Sequence, residues 1–304
     1  MLIKLVSRII EGFPRISMIT RTMHSSSRDT VIVDNVGQVT TIGINRPSKR
    51  NCVDTETARL INKSIEHFEN DQNSCVAVLY GTGGNFCSGF DFKELADSKD
   101  LDLTNGLMAL PKTVKKPMIA AISGYTVAGG LELALLCDLR VMEDTAVLGF
   151  YSRRFGIPLS DGGTVRLQSM VGLSRALDLI LTGRSLNAQE AFQWGLANRI
   201  VSCGTALGQA INLASSLVKF PQECLNIDRQ STYNSAFNKA YEELIDAERR
   251  NSNKLSFRSI KEGATKFMSG LGRHGNSYNL TKRNICEWEK EYSDDCDMNP
   301  KSKL

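Results

Sequence analysis

Two glycine-bearing stretches of this chain offer backbone able to do chemistry. They are Gly81-Thr-Gly-Gly-Asn-Phe-Cys-Ser-Gly-Phe-Asp91 and Gly124-Tyr-Thr-Val-Ala-Gly-Gly-Leu-Glu-Leu-Ala-Leu-Leu-Cys-Asp138. Each follows an apolar run and leads into a predicted helix. Where two such turns meet, two N–H groups converge on one oxygen. That arrangement serves a carbonyl oxygen that becomes negative, as when an acyl thioester turns into an enolate. Glu132 is the acid/base candidate beside them. It stands three residues after Gly129, on the first turn of a helix whose other positions are Leu131, Leu133, Ala134, Leu135 and Leu136. A carboxylate in such company is either paired or functional, because burying it alone is costly. The helix N-terminus favours its charged form and desolvation favours the neutral one. The alternative is a terminal charge that merely complements the helix dipole.

Elements that would position these residues follow from periodicity. Residues 30–34 and 39–44 are β-rich and are separated by a hairpin signal, Asn35-Val-Gly37. Asp54 reads as the N-cap of a helix with Ala58, Ile61, Ile65 and Phe68 on one face. Short strands are predicted at 75–80, 118–122, 140–142 and 147–150, with helices at 106–114, 130–137, 163–171 and 174–181. Strands alternating with helices imply an α/β class. Asn187 caps a further helix that Gly195 stops. From about residue 205 the pattern is nearly all helical, with one amphipathic run over 228–251 that packs either on a partner subunit or on its own core.

The 304 residues carry a net charge of +4, with 41% hydrophobic and 23% charged residues. This composition builds a sizeable core. The weak charge is concentrated near the ends and does not suggest a nucleic-acid face. No apolar run approaches the length of a membrane span. The eight cysteines form no C-x-x-C pair and no metal spacing with histidine, so they read as free thiols in a reducing compartment. No metal site is expected. His24, His67 and His274 are not placed to catalyse.

Residues 1–28 hold Lys4, Arg8, Arg15, Arg21 and Arg28 against Glu11 alone, interspersed with serines. That is the composition of a mitochondrial transit peptide, or of a merely disordered basic leader. The terminal Ser302-Lys303-Leu304 is a peroxisomal address. A start at Met18 or Met23 would remove most of the leader and reconcile the two signals.

Four segments taken together resemble the crotonase (enoyl-CoA hydratase/isomerase) superfamily. They are Phe86-Cys-Ser-Gly-Phe-Asp-Phe-Lys-Glu-Leu95, the run from Lys116 to Asp138, Gly156-Ile-Pro-Leu-Ser-Asp-Gly-Gly-Thr-Val-Arg-Leu167, and the run from Leu181 to Leu196. The likeness covers roughly 30–270. It implies a spiral of repeated β-β-α units over 29–204, a helical C-terminal trimerisation segment over 205–285, and a flexible tail over 286–304. The implied substrate is an acyl-CoA, with no cofactor beyond that coenzyme, and the implied assembly is a homotrimer or hexamer.

By this resemblance the N–H groups of Ser88 and Gly129 form the oxyanion hole. Gly89, Phe90, Asp91 and Gly130 border the substrate, and Glu132 is the water-activating base. Asp91 also reads as the cap of the next helix. Ser152 stands where a typical hydratase has a second Glu, and this puts two-carboxylate hydration in question. Asp161 falls where the dienoyl-CoA isomerase branch has its base; the other reading is that Ser160 or Asp161 caps the following helix. Arg153 and Arg154 are either a cationic rim or surface charges, and Arg273 stands near the place of a CoA-phosphate contact. The resulting expectation is an enoyl-CoA hydratase-like lyase of fatty-acid oxidation, in the mitochondrial or peroxisomal matrix. The alternatives are an enoyl/dienoyl-CoA isomerase, an acyl-CoA decarboxylase, or a non-catalytic acyl-CoA-binding subunit.

Overall fold

A computed structural model of the chain describes residues 29–100, 102–237, 241–253 and 256–271. The expected leader, the tail over 286–304, His24, Arg273 and His274 lie outside them. Six strands form the larger sheet: β1 (Val31–Val36), β2 (Val39–Ile44), β3 (Val76–Gly81), β4 (Met118–Ile122), β6 (Leu139–Glu143) and β9 (Arg199–Val201), in the spatial order β1-β2-β3-β4-β6-β9. A smaller sheet holds β5 (Tyr125–Val127), β7 (Val147–Gly149) and β8 (Leu186–Asn187), in that order. The β1–β2 hairpin is antiparallel, and its turn uses Gly37 at φ +60°. The other pairings of the large sheet are parallel.

Parallel strands require crossovers, and here those that leave β3, β4 and β6 visit the smaller sheet before a helix closes the turn. After β3, residue Cys87 bridges Thr126, and α2 (Phe92–Asp97) follows. After β4 come β5 and α3 (Gly129–Leu136); after β6 come β7, a 3-10 turn over Tyr151–Phe155, and α4 (Gly163–Val171). This is the expected β-β-α spiral.

Both faces of the large sheet are covered, and alternate residues go to opposite sides. Val76 and Val78, Ile119 and Ala121, and Val141 pack on Ala206, Ala210, Leu213 and Ala214 of α7 (Ala206–Val218). Their neighbours Ala77, Leu79, Ala120, Ile122 and Met142 face the main core. On that side lies α1 (Thr55–Asn70), which buries Ala58, Ile61, Ile65 and Phe68 as its spacing predicts. Asp54 caps α1 by accepting from the Thr57 N–H at 2.9 Å. Helix α3 is buried on every side over Gly130–Leu136, as a helix apolar all round must be.

The predicted helix over 106–114 does not form; the segment is a loop. Gly106 and Ala109 take left-handed φ of +83° and +49°, and Pro111 lacks an N–H. Side chains satisfy its backbone instead: Asn62 donates to the carbonyls of Met108 and Ala109, and Arg249 to that of Leu110.

Helix α5 (Leu173–Thr182) leaves Leu173, Leu177 and Leu181 exposed along one side, and Phe192 is exposed on α6 (Ala188–Gln193). The amphipathic run over 228–251 resolves into α8 (Gln222–Phe237) and α9 (Tyr241–Ser252), with α10 (Phe257–Met268) beyond. Helix α8 is tied to the rest of the chain at Asp138. Asp138 Oδ1 accepts from Arg229 Nε at 2.7 Å and from the Tyr233 hydroxyl at 2.8 Å, while Oδ2 accepts from the Met118 N–H at 2.8 Å. Phe267 of α10 meets Phe92 and Phe155 edge-on, with ring centroids 5.1 and 5.0 Å away.

Candidate active site

The segment leading to Phe90 lies between two neighbours. On one side Cys87 N–H donates to Tyr125 O and Val127 N–H to Cys87 O, at 3.1 and 3.0 Å. On the other side Val53 N–H donates to Gly89 O and Asp91 N–H to Val53 O, both at 2.8 Å. In a trans peptide the carbonyl and the N–H point in opposite directions. Because Gly89 O aims at Val53, the Phe90 N–H aims away from it. Gly89 meets the start of α3 on the far side: a Cβ added there would lie 2.9 Å from Ala128 Cβ and 3.1 Å from Gly129 N. Gly89 also has φ +95°, so two independent constraints demand glycine. Gly129 opens α3, where a helix has no internal acceptor for its N–H. No acceptor for either the Phe90 or the Gly129 amide occurs among the described residues.

A narrow cleft opens at this meeting point. Phe90, Phe92, Leu107, Met108, Ala128, Ile157 and Pro158 give it apolar walls, and Gly129, Glu132, Ser152 and Asp161 also line it. Glu132 is 3% exposed. Its Oε1 accepts from Asp161 N–H at 2.9 Å and from Gly163 N–H at 3.0 Å. The cap of α4 is therefore a side chain from another helix: Gly162 occupies the N-cap position at φ +92° and has no side chain to offer. A Cβ at Gly163 would sit 2.8 Å from Glu132 Cγ, so glycine permits this contact.

Asp161 is equally buried and holds the loop that roofs the cleft. Its Oδ2 accepts from Met108 N–H and its Oδ1 from Leu110 N–H, both at 3.2 Å. Ser160 Oγ accepts from Leu107 N–H at 3.1 Å, and Arg166 Nη2 donates to Pro111 O and Lys112 O at 3.3 and 3.1 Å. Neither Ser160 nor Asp161 caps α4, which corrects that alternative.

The cleft gathers Phe90, Gly129, Glu132 and Asp161, but not all the residues read from sequence. Ser88 is displaced from the expected role: its N–H donates to Arg50 O at 3.1 Å, and the residue does not line the cleft. Phe90 supplies the outward amide in its place. Gly130 is framework, because a Cβ there would lie 2.2 Å from Cys87 O. Asp91 caps α2 through Lys93 N–H, as expected, and its Oδ2 takes Arg46 Nη2 and Lys49 Nζ, each at 3.0 Å. It is thus committed to ion pairs outside the cleft. Arg153 is exposed and Arg154 half-buried; they donate to Ile180 O and Gly183 O, and neither lines the cleft. Sequence reasoning missed Met108 and Ile157 as wall residues, since both sit on irregular segments. Among the described residues no group of three or more His, Cys, Asp or Glu is placed to hold a metal, and no helix is long and apolar enough to cross a membrane.

A family model described as "Enoyl-CoA hydratase/isomerase" matches residues 34–272. The chain belongs to this crotonase family. A probable enoyl-CoA hydratase of Mycobacterium leprae is 32% identical over 227 residues, covering 73% of this chain and 88% of the relative. A probable mitochondrial enoyl-CoA hydratase of Dictyostelium discoideum is 31% identical over 226 residues, covering 73% and 81%. Among solved structures, a carnitinyl-CoA dehydratase of Mycobacterium avium superposes with a TM-score of 0.70 at 29% identity, covering 78% of this chain and 96% of the other.

The buried carboxyl of this crotonase's Asp161 has a predictable effect on stability. Burial pushes it above the ordinary carboxyl range, against the amides of Leu110 and Met108, which pull it down. The folded state then holds the proton more tightly than the unfolded chain does. The contribution of Asp161 to stability is accordingly greatest below about pH 4, the ordinary aspartate value, and falls as pH climbs through the folded value. Asp161→Asn removes this titration. Thermal melts across that range should show the variant gaining stability relative to the parent as pH rises; parallel profiles would acquit Asp161 as the source.

Proposed function

We propose that this crotonase adds water to 2-enoyl-CoA thioesters, giving 3-hydroxyacyl-CoA. The observation that carries the reading is one cleft holding two unpartnered amides, at Phe90 and Gly129, with the Glu132 carboxyl one helical turn from the second. The thioester oxygen accepts from both amides. Water attacks C3 as Glu132 takes its proton, and the π electrons move onto the thioester oxygen as an enolate. Collapse of the enolate takes a proton at C2, and Asp161 supplies it, its burial favouring the protonated form. After product leaves, Glu132 gives up its proton to solvent and Asp161 takes one back, which restores the starting state. No metal or redox group takes part in this sequence. In comparable sites one oxyanion donor contributes roughly 3–4 kcal/mol to the transition state.

A second reading, double-bond isomerisation without net water addition, is favoured by Ser152, which gives the cleft a neutral hydroxyl rather than another carboxylate. Acyl-CoA decarboxylation would use the same enolate stage, and a non-catalytic acyl-CoA subunit would keep the pocket alone. The leader's composition, the terminal Ser-Lys-Leu and the mitochondrial Dictyostelium relative support a mitochondrial or peroxisomal matrix setting, and with it fatty-acid oxidation. The exposed leucines of α5 support self-association as a homotrimer or hexamer.

The test is direct. Full-length protein with short- and medium-chain 2-enoyl-CoA should bleach the conjugated thioester absorbance and yield 3-hydroxyacyl-CoA by mass. Migration of the double bond without gain of water would replace hydration by isomerisation. Binding without turnover on enoyl, dienoyl and malonyl-type thioesters would leave only the binding subunit.

A further inference from the structure

Ser152 is 4% exposed, and its Oγ has no hydrogen-bond partner. Buried hydroxyls are normally paired, and one that is not needs a reason. Other buried side-chain atoms among the described residues share this lack, on Thr30, Thr57, Asn62, Thr126, Gln222, Asn226 and Arg249. Ser152 alone of these lines the cleft. The 3-10 turn that carries it is fixed at its end, where Ile157 N–H donates to Ser152 O at 3.2 Å. The side chain is therefore presented by ordered backbone.

The cleft's remaining polar atoms are largely engaged. Glu132 Oε1 is taken by two amides, and both oxygens of Asp161 hold the roof loop. Phe90, Phe92, Met108 and Ile157 have no side-chain hydrogen bond to offer an oxygen. An acyl chain with its carbonyl at the Phe90 and Gly129 amides carries C2 and C3 into this space first, because Glu132 lies only about 4.5 Å along α3 from Gly129.

We infer that Ser152 is a specificity-determining residue whose hydroxyl hydrogen-bonds an oxygen on C3 of the acyl chain. The cleft then prefers 3-oxygenated acyl thioesters to saturated ones of equal length. A plain hydrocarbon at C3 leaves the buried hydroxyl unpaired, and sites built to pair a substrate oxygen discriminate strongly on that ground. The inference rests on the proposed placement of the thioester carbonyl.

Equilibrium binding of 3-hydroxybutyryl-CoA and butyryl-CoA tests it, measured by calorimetry in a Glu132→Gln background so that neither thioester is consumed. With Ser152 intact, the hydroxylated thioester should bind about tenfold more tightly, the size of effect expected when a buried group gains or lacks its partner. With Ser152→Ala added, the two affinities should converge to within about twofold, the butyryl form gaining as the unpaired group disappears. No preference in the Ser152 protein, or a preference that survives Ser152→Ala, overturns the assignment while leaving the proposed reaction standing. Equal weakening of both thioesters by Ser152→Ala would mean that the hydroxyl holds water rather than the acyl oxygen, and also overturns it. Failure of either thioester to bind removes the proposed function, and this assignment with it.

Discussion

Glu132→Gln should lower kcat on 2-enoyl-CoA about a thousandfold, the middle of the range for loss of a general base. Glutamine has the same length and still presents an oxygen. The amides of Asp161 and Gly163, which now donate to Glu132 Oε1, therefore keep an acceptor and α4 keeps its cap. What disappears is the capacity to take a proton from water. KM should change little, because the proposed hold on the thioester oxygen comes from backbone amides that the substitution does not touch. Steady-state rates with an unchanged melting temperature would separate chemistry from folding. A variant retaining more than a tenth of the parent's kcat would remove Glu132 from the mechanism.

Gly130→Ala should damage both fold and activity. In an open helix, alanine is favoured over glycine by about 1 kcal/mol. Here the added Cβ would meet Cys87 O at 2.2 Å and Cys87 C at 2.7 Å, and these are backbone atoms that cannot swing aside. Overpacking of that kind costs about 3 kcal/mol, so the sign reverses. For a domain of this size that corresponds to a fall in Tm of roughly 6–12 °C. The damage spreads further, because Cys87 O also accepts from Val127 N–H. Pushing α3 away from Cys87 moves the Gly129 amide relative to that of Phe90. The folded fraction should therefore lose at least about tenfold in kcat/KM, as part of one donor's contribution is lost. Gly208→Ala is the control: that residue is exposed on α7, and its added Cβ meets nothing within 4 Å. Its Tm should rise slightly. Equal effects at the two glycines would refute the contact argument.

Much of this architecture was legible in the residues. Strand β2 and helices α1 and α4 carry their own signals: an apolar β-branched run, an Asp cap before a helical stripe, a glycine at each end. Glu132 was legible as the lone charge in an apolar helix. Its partners were not, because the N-terminus of α4 reaches it through tertiary packing. The roof loop was misread as a helix for a related reason: its apolar residues have helical spacing, but Asn62, Asp161 and Arg249 take up its backbone groups from elsewhere in the fold. Ser88 and Phe90 differ only in which peptide faces the cleft. That choice is made by pairing with Val53, a contact remote in sequence and invisible to motif spacing.

Ala128 precedes α3 at φ +54° and ψ −129°, a backbone region that suits glycine far better than alanine. The residue lines the cleft, and its methyl abuts Gly89. The molecule thus keeps a conformationally uncomfortable residue where a hydrogen atom in place of that methyl would relax it. Heat tolerance and the spacing of the Phe90 and Gly129 amides are set at the same carbon, so on the proposed reading sequence drift toward a more relaxed backbone there would blunt activity as it toughened the fold.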